Sequence, residues 1–390
     1  MKYDMLKNIV FDEIENNLNE LTALSDDLFD HPEVSGKEYR SSEKIVKLLR
    51  NYGYDVEYPF AGLDTAFRAV YGKNNHKYKV ALLTEYDALP EIGHACGHCV
   101  SGSISVLAGL AVKGLAEELD TDVHIIGTPN EEEDGAKCAM IEQGVFDNYD
   151  MAIMVHLYNS NLPSPKLQGL ASYMYEFHGK AAHASAAPWE GNNAFNAAQL
   201  MFHAVDMLRQ HTTPDAQFHG IIRNGGEAPN IVPEKVTAEL YIRALDKKYL
   251  QDLIQKVDNC AEGACIATGT TWSKYPTARI YDNMKPNETG LAVLTETYKE
   301  LGLEINGDPE KIFGSSDGGN VSFVCPGFHP CLQVADADTP IHTRGFAEQM
   351  KTERGHKALS DGAKIIALQI IKIFSDEEKI KAMKADFENN

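Results

Sequence analysis

At 390 residues the chain is longer than one hydrophobic core ordinarily supports, which predicts two domains. Hydrophobic residues make up 43% and charged residues 24%, as in an ordinary globular protein; the net charge of −21 argues against nucleic acid or an anionic membrane surface as a partner, since both reward basic patches. No uninterrupted apolar run approaches the roughly 20 residues that span a bilayer, the charged opening MKYDMLKNIVFDEIENN lacks a signal-peptide pattern, and seven scattered cysteines do not suggest a disulfide framework, so a cytoplasmic location is expected.

In chain order, residues 5–30 read as one or two amphipathic helices and residues 38–52 as another, ending at Gly53. Strands are expected over 65–71 and 79–84, the second apolar enough to be buried on both faces. A helix from the small residues at 101–103 to about Leu119 follows, then a strand over 122–127, a helix over 137–143 and a strand over 151–155 that stops at His156. Strands alternating with helices predict an α/β fold: a doubly wound, mostly parallel sheet with its functional residues at the carboxyl ends of strands. After the linker-like Ser160–Pro165 the pattern changes to strand 172–178, helix 193–210, strands 217–223 and 236–244, helix 247–267 and strand 271–275. This β-α-β-β-α-β order is the ferredoxin-like split motif. Near Met284-Lys285-Pro286 the chain returns to the α/β pattern and closes with a helix over 355–374. The expected organisation is a discontinuous catalytic domain, residues 1–169 and 284–390, interrupted by a small α+β domain, residues 170–283.

Chemistry concentrates between Glu85 and Cys99, in EYDALPEIGHACGHC. One reading takes Cys96 and His98 as metal ligands, on a loop made by Pro90, Gly93 and Gly97. A second takes Cys96-Gly97-His98-Cys99 as a redox C-x-x-C, and a third as buried cysteines beside a packed histidine. The upstream Glu85, Asp87 and His94 favour a metal site, which needs such groups around its ligands, whereas a thioredoxin-like module does not. Glu131-Glu132 after the next strand suits a division of labour between a carboxylate that binds metal and a neighbour that accepts a proton; a solvated acidic turn is the plainer reading of EEE.

Together these segments resemble the metallo-amidohydrolases that include aminoacylases, hippurate hydrolases, indoleacetyl-amino-acid hydrolases and glutamate carboxypeptidases. The resemblance rests on EYDALPEIGHACGH (85–98), GTPNEE (127–132), MVH (154–156), GKAAHASAAPWEGNNA (179–194), PNIVP (229–233), LYIRA (240–244), SSDGGNVS (315–322) and IHTRGF (341–346), in that order. The wording of the first is most similar to the branch with aminobenzoyl-glutamate hydrolase and β-alanyl-lysine type dipeptidases. The resemblance implies metal-assisted hydrolysis of an amide, with two divalent ions (Zn²⁺, Mn²⁺, Co²⁺ or Ni²⁺) held by Cys96, His98, Glu132, His156 and His342. It implies Glu131 as general base, Asp87 as the carboxylate orienting the site, and His183, Asn230 and Arg243 as substrate-facing residues of the inserted domain. That domain would act as lid and dimerisation module, with hinges at 160–165 and near Pro286 and His183 reaching a site across a homodimer. The chain departs from the family in having Cys99 where Asp or Asn is usual and Ser101 where many members have His. The expected substrate is a small amide: an N-acyl amino acid, an aminobenzoyl-glutamate-like compound or a dipeptide with a basic or β-amino residue. A binding protein that does not cleave such amides, and a disulfide oxidoreductase using Cys96 and Cys99, are the alternatives.

Overall fold

The structure, a computed structural model, describes residues 2–312 and 314–389. It divides into two compact units: Met1–Lys166, Met284–Phe313 and Asp317–Asn390 make the larger, Leu167–Asn283 with Gly314–Ser316 the smaller.

In the larger unit, α1 (Lys2–Asp30) is one continuous helix because Leu6, Val10, Ile14, Leu21, Leu24 and Leu28 recur at helical spacing and form a single buried stripe. It is followed by α2 (Tyr39–Asn51), β1 (Asp55–Glu57), β2 (Phe67–Val70) and β3 (Tyr78–Thr84). The next helix, α3 (His98–Val112), begins three residues earlier than expected, so His98 and Cys99 lie on it rather than in the loop before it. Every residue of α3 is buried. Among the described residues, 98–119 is a stretch apolar and long enough to cross a bilayer, and 83% of its most apolar window lies inside the protein. A short 3₁₀ turn separates α3 from α4 (Ala116–Leu119); β4 (Thr121–Gly127), α5 (Ala136–Glu142) and β5 (Met151–Ile153) follow.

The strand expected over 151–155 ends at Ile153. Pairing with β3 stops there, while the Met154 and His156 amides go on donating to the carbonyls of Phe328 and Pro330, and the chain follows that segment into β6 (His156–Tyr158). His156 therefore opens a strand instead of following one, a correction to the sequence reading.

The smaller unit holds β7 (Gly169–His178), α6 (Ala194–Leu208), β8 (Gln217–Asn224), β9 (Lys235–Ala244), α7 (Lys247–Thr268) and β10 (Thr271–Pro276). Its antiparallel sheet has the order β10-β7-β9-β8, the ferredoxin-like arrangement the sequence predicts. Alternate residues of β9 (Val236, Ala238, Leu240, Ile242) turn into the core with α6 and α7, burying one face of the sheet.

The chain then completes the larger unit with α8 (Glu288–Glu300), α9 (Gly318–Val321), β11 (Gly327–Phe328), β12 (Cys331–Gln333), α10 (Arg344–Ala347), α11 (Glu353–Phe374) and α12 (Glu377–Asn389). Among the described residues its main sheet has six strands in the order β1-β2-β4-β3-β5-β11. The pairs β4–β3, β3–β5 and β5–β11 are parallel, and the two outer pairs at the β1 end are antiparallel. In β3, Val80 and Leu82 join the core shared with α1, α3 and α11, while Ala81 and Leu83 face the opposite core with Met140 and Phe146. Burial on both faces is why its sequence is continuously apolar. The separate β12–β6 pair carries His156.

Candidate metal centre

The site is built where β3 and β4 end. Glu85 and Asp87 follow β3 directly, and Glu131 and Glu132 lie in the loop after β4. Gly97 caps α3 with φ +86°, a left-handed conformation that turns the chain between Cys96 and His98. Gly102 lets α3 press onto the end of β3, where a Cβ would meet the Glu85 carbonyl oxygen at 2.1 Å.

These elements gather four overlapping groups of donor atoms, each within 4.8 Å: Cys96, His98 and His156; Cys96, Glu132 and His342; His98, Glu131 and Glu132; and Glu85, Glu131 and Asp317. All five residues expected as metal ligands, and the expected base Glu131, fall within this set. Asp87 orients it. Its Oδ1 accepts from His98 Nδ1 at 3.0 Å, and its Oδ2 accepts from the Glu132 amide at 3.0 Å and from Ser35 Oγ at 2.7 Å.

These hydrogen bonds determine which imidazole nitrogen is bare. Both neighbours of His98 Nδ1, the Asp87 carbonyl and carboxylate, are acceptors, so Nδ1 carries a proton and Nε2 is the nitrogen left to ligate. By the same logic His156 Nδ1 donates to the Leu157 carbonyl at 2.7 Å, leaving Nε2 3.4 Å from Cys96 Sγ. The buried Glu132 Oε1 receives no hydrogen bond, and the buried His98 Nε2 and Glu85 Oε2 have none beyond facing each other at 3.3 Å. Buried polar atoms without a full hydrogen-bond complement are costly unless something binds them, and imidazole, carboxylate and the Cys96 thiol together are a donor set that fits a cation. His342 lies on the rim, with Nε2 3.6 Å from Glu132 Oε2 and a left-handed φ of +60°, an uncommon backbone state for a residue other than glycine.

The electrostatics agree. Five carboxylates gather here, Glu85, Asp87, Glu131, Glu132 and Asp317, and the Lys137 ammonium pairs with two of them, Glu85 and Asp317. Burial, joined by the carboxylates of Glu85, Glu132 and Asp317, pushes Glu131 well above the usual carboxylate range. Burial alone would discharge His98, yet Cys96, Glu85 and Asp87 hold its pKa well above the ordinary imidazole value. Surroundings that favour a proton there also favour a metal cation. His156, by contrast, is pushed down to about 3 by burial and by His329 and His98, which keeps it neutral and able to ligate.

Cys99 faces the core behind α3 and is 0% exposed; burial pushes its thiol up to about 12, so it offers no thiolate for exchange. His94 is also buried, its Nε2 donating to the Leu28 carbonyl. Four residues of this region escape a reading of the sequence for function. Glu38 accepts from the amides of Gly36 and Asn130 and from Thr65, bracing the acidic loop. His329 stacks on His156 with ring centroids 5.2 Å apart. Lys137 joins Glu85 to Asp317. Only Asp317 lies within a recognisable motif, SSDGGNVS; the others carry no local signal.

His183, Asn230 and Arg243 belong to the smaller unit. His183 and Ile231 bridge, and the Ala184 amide donates to the Asn230 carbonyl, so the loops of His183 and Asn230 lie side by side. His183 Nδ1 accepts from the amides of Ser185 and Ala186, which leaves the proton on its exposed Nε2. Arg243, on β9, donates to Ser315 Oγ at 2.7 Å, and burial lowers its pKa.

Over 98% of its length the chain is 34% identical to a Mus musculus protein named Xaa-Arg dipeptidase, covering 92% of it. The chain belongs to the M20 peptidase family. Residues 166–268 match the family's peptidase dimerisation domain. A p-aminobenzoyl-glutamate hydrolase polypeptide of Escherichia coli is 28% identical over 94% of the chain and 91% of that protein. An M20 peptidase from Bacillus subtilis, described as dinuclear and metal-binding, superposes with a TM-score of 0.70 at 18% identity, over 92% of this chain and 99% of that one. The aminobenzoyl-glutamate utilization protein of Klebsiella pneumoniae has a TM-score of 0.71 at 15% identity, over 92% and 96%. At these identities the two structures bear on the M20 fold alone.

Proposed function

We propose that the chain is a metal-dependent amidohydrolase that cleaves a small amide bearing a carboxylate. The observation that carries this reading is the convergence of imidazole nitrogens, a thiol and buried carboxylate oxygens from five chain segments beside a second carboxylate, Glu131. Cys96, His98, Glu132, His156 and His342 would hold two divalent ions, with Zn²⁺, Mn²⁺, Co²⁺ and Ni²⁺ all compatible with such donors. Bound there, the ions supply Lewis acidity that polarises the scissile carbonyl and acidifies water.

The protein's own residues do the rest. Glu131 accepts a proton from the attacking water at its carboxylate and returns it to the leaving nitrogen. Asp87 holds the His98 ring and the Glu132 backbone in register. His183 donates its Nε2 proton as a hydrogen bond to the oxyanion that develops on the carbonyl. Arg243 and Asn230 hold the substrate carboxylate, a task suited to a planar guanidinium. The names of the two relatives support a dipeptide ending in a basic residue, or an aminobenzoyl-glutamate-like amide, ahead of a simple N-acyl amino acid. The match to a dimerisation domain supports a homodimer through the smaller unit, with His183 serving the partner's site.

The test is an amidase screen over these three substrate classes with chelated protein and each metal added back. Hydrolysis that depends on metal is expected, and Glu131→Gln should lose roughly 10²-fold or more in turnover while keeping its metal. Full activity in metal-free protein, or no hydrolysis of any class with any metal, would overturn the reading. Loss of metal in Glu131→Gln but not in Glu132→Gln would exchange the two roles.

A further inference from the structure

Lys137, in the first turn of α5, is 0% exposed, as are Glu85 and Asp317. Its Nζ donates to Glu85 Oε1 and to Asp317 Oδ1, each at 2.6 Å, and its backbone amide donates to Asp317 Oδ2 at 2.9 Å. A fully buried ammonium is rare and is tolerated only when paired. Its place here is specific. Glu85, Glu131 and Asp317 bring a carboxylate oxygen each within 4.8 Å of one another, close enough for one cation to meet all three, and the ammonium already binds two of them.

We propose that Lys137 is a resident cation: it occupies the Glu85/Glu131/Asp317 group, keeps a divalent ion out of it, and so prevents Glu131 from becoming a ligand. This rests on the metal-centre reading above and adds a positioning residue to it. Without such a cation an M²⁺ entering beside the two-ion site would find three carboxylates, and Glu131 would be drawn into its coordination instead of facing the attacking water. The same anchor steadies the acidic loop. Lys137 ties the loop's far end to Glu85 and Asp317. Its near end is held by the Thr128 amide on the Thr84 carbonyl, and its middle by Asn130 on Glu38 and Glu132 on Asp87.

The experiment counts metal. Wild type and Lys137→Ala are stripped, loaded with excess Mn²⁺ or Zn²⁺, desalted and measured for ions per chain by elemental analysis, with unfolding temperature followed as metal is titrated. The expected result is one more ion per chain in Lys137→Ala than in wild type, and an unfolding temperature that is low in chelator and recovers with metal. The added ion should be absent from Lys137→Ala/Asp317→Asn, which lacks one of the three carboxylates. Should Lys137→Ala fail to fold, Lys137→Gln keeps amide donors for the two carboxylates without the charge, and the same extra ion is expected. In an active preparation, kcat should fall at least 10-fold with KM nearly unchanged, because the base and not the substrate contacts is diverted. An unchanged ion count, or the extra ion persisting in the double variant, would overturn the proposal. Because ions are counted whether or not any amide is cleaved, failure of the hydrolase reading and failure of this one are told apart.

Discussion

Gly102→Ala tests how the fold and the metal centre are joined. Helix propensity alone predicts that Gly→Ala inside a helix stabilises by about 1 kcal/mol. In α3 the new Cβ would lie 2.1 Å from the Glu85 carbonyl oxygen, and opening that gap to an ordinary 3.4 Å contact requires about 1.3 Å of movement. The obstacle is backbone, so no side chain can rotate away, and α3 is buried along its whole length. Overpacking of this kind costs about 1–3 kcal/mol or more in an interior packed to crystal density, which outweighs the propensity gain. The movement falls on Glu85 and Asp87, so metal affinity should drop together with stability. Gly263, exposed in α7, is the control: nothing lies within 4 Å of its would-be Cβ, so Gly263→Ala should stabilise the smaller unit by about 0.5–1 kcal/mol. Denaturant unfolding followed by circular dichroism in chelator, with metal titration of the folded protein, reads both effects. A Gly102→Ala protein as stable as wild type, with unchanged metal affinity, would refute the reasoning.

Glu300 links α8 to α1 and α11 through Lys7, Tyr3 and Lys372; burial opposes its charge, but these hydrogen bonds prevail and bring its pKa down to about 2. Because the folded value lies below the unfolded one, the stabilisation is complete above about pH 4.5 and is lost as pH falls toward 2. Glu300 is an exposed residue, so solvent screening reduces the effect: Glu300→Gln should cost on the order of 1 kcal/mol near neutrality and almost nothing near pH 2, and urea unfolding at a series of pH values would contradict this if the difference did not change. Cys99→Ala should leave metal content and turnover close to wild type while Cys96→Ala lowers both, since only Cys96 Sγ faces the ligand set; elemental analysis with an activity assay decides it. For the dimer, inactive Glu131→Gln and inactive His183→Ala proteins are mixed and allowed to exchange protomers. If His183 serves the partner's site, activity should return to about a quarter of wild type, and no return despite demonstrated exchange would place its action within one chain or nowhere.

The sequence by itself determined what depends on local period and local chemistry. The apolar run of β3, the apolar stripe of α1 and the β-α-β-β-α-β order of the smaller unit are written in residue spacing, so these elements were legible. So was part of the cluster of donor side chains, because Cys96, His98, Glu131 and Glu132 are packed into two short motifs whose residue types leave few chemical uses. Tertiary structure decided the rest. His156 reads as the end of a strand until pairing with β3 stops at Ile153 and residues 154–156 follow the backbone of 328–330 into a second pair of strands. Which imidazole nitrogen is bare depends on a carbonyl and a carboxylate at Asp87, eleven residues before His98 in sequence. Lys137 in the first turn of a helix reads as a solvated lysine; it is buried because Asp317, 180 residues away, closes over it together with Glu85. The energy of a buried charge depends on what surrounds it, and for Lys137 those surroundings come from parts of the chain that meet only in the folded protein.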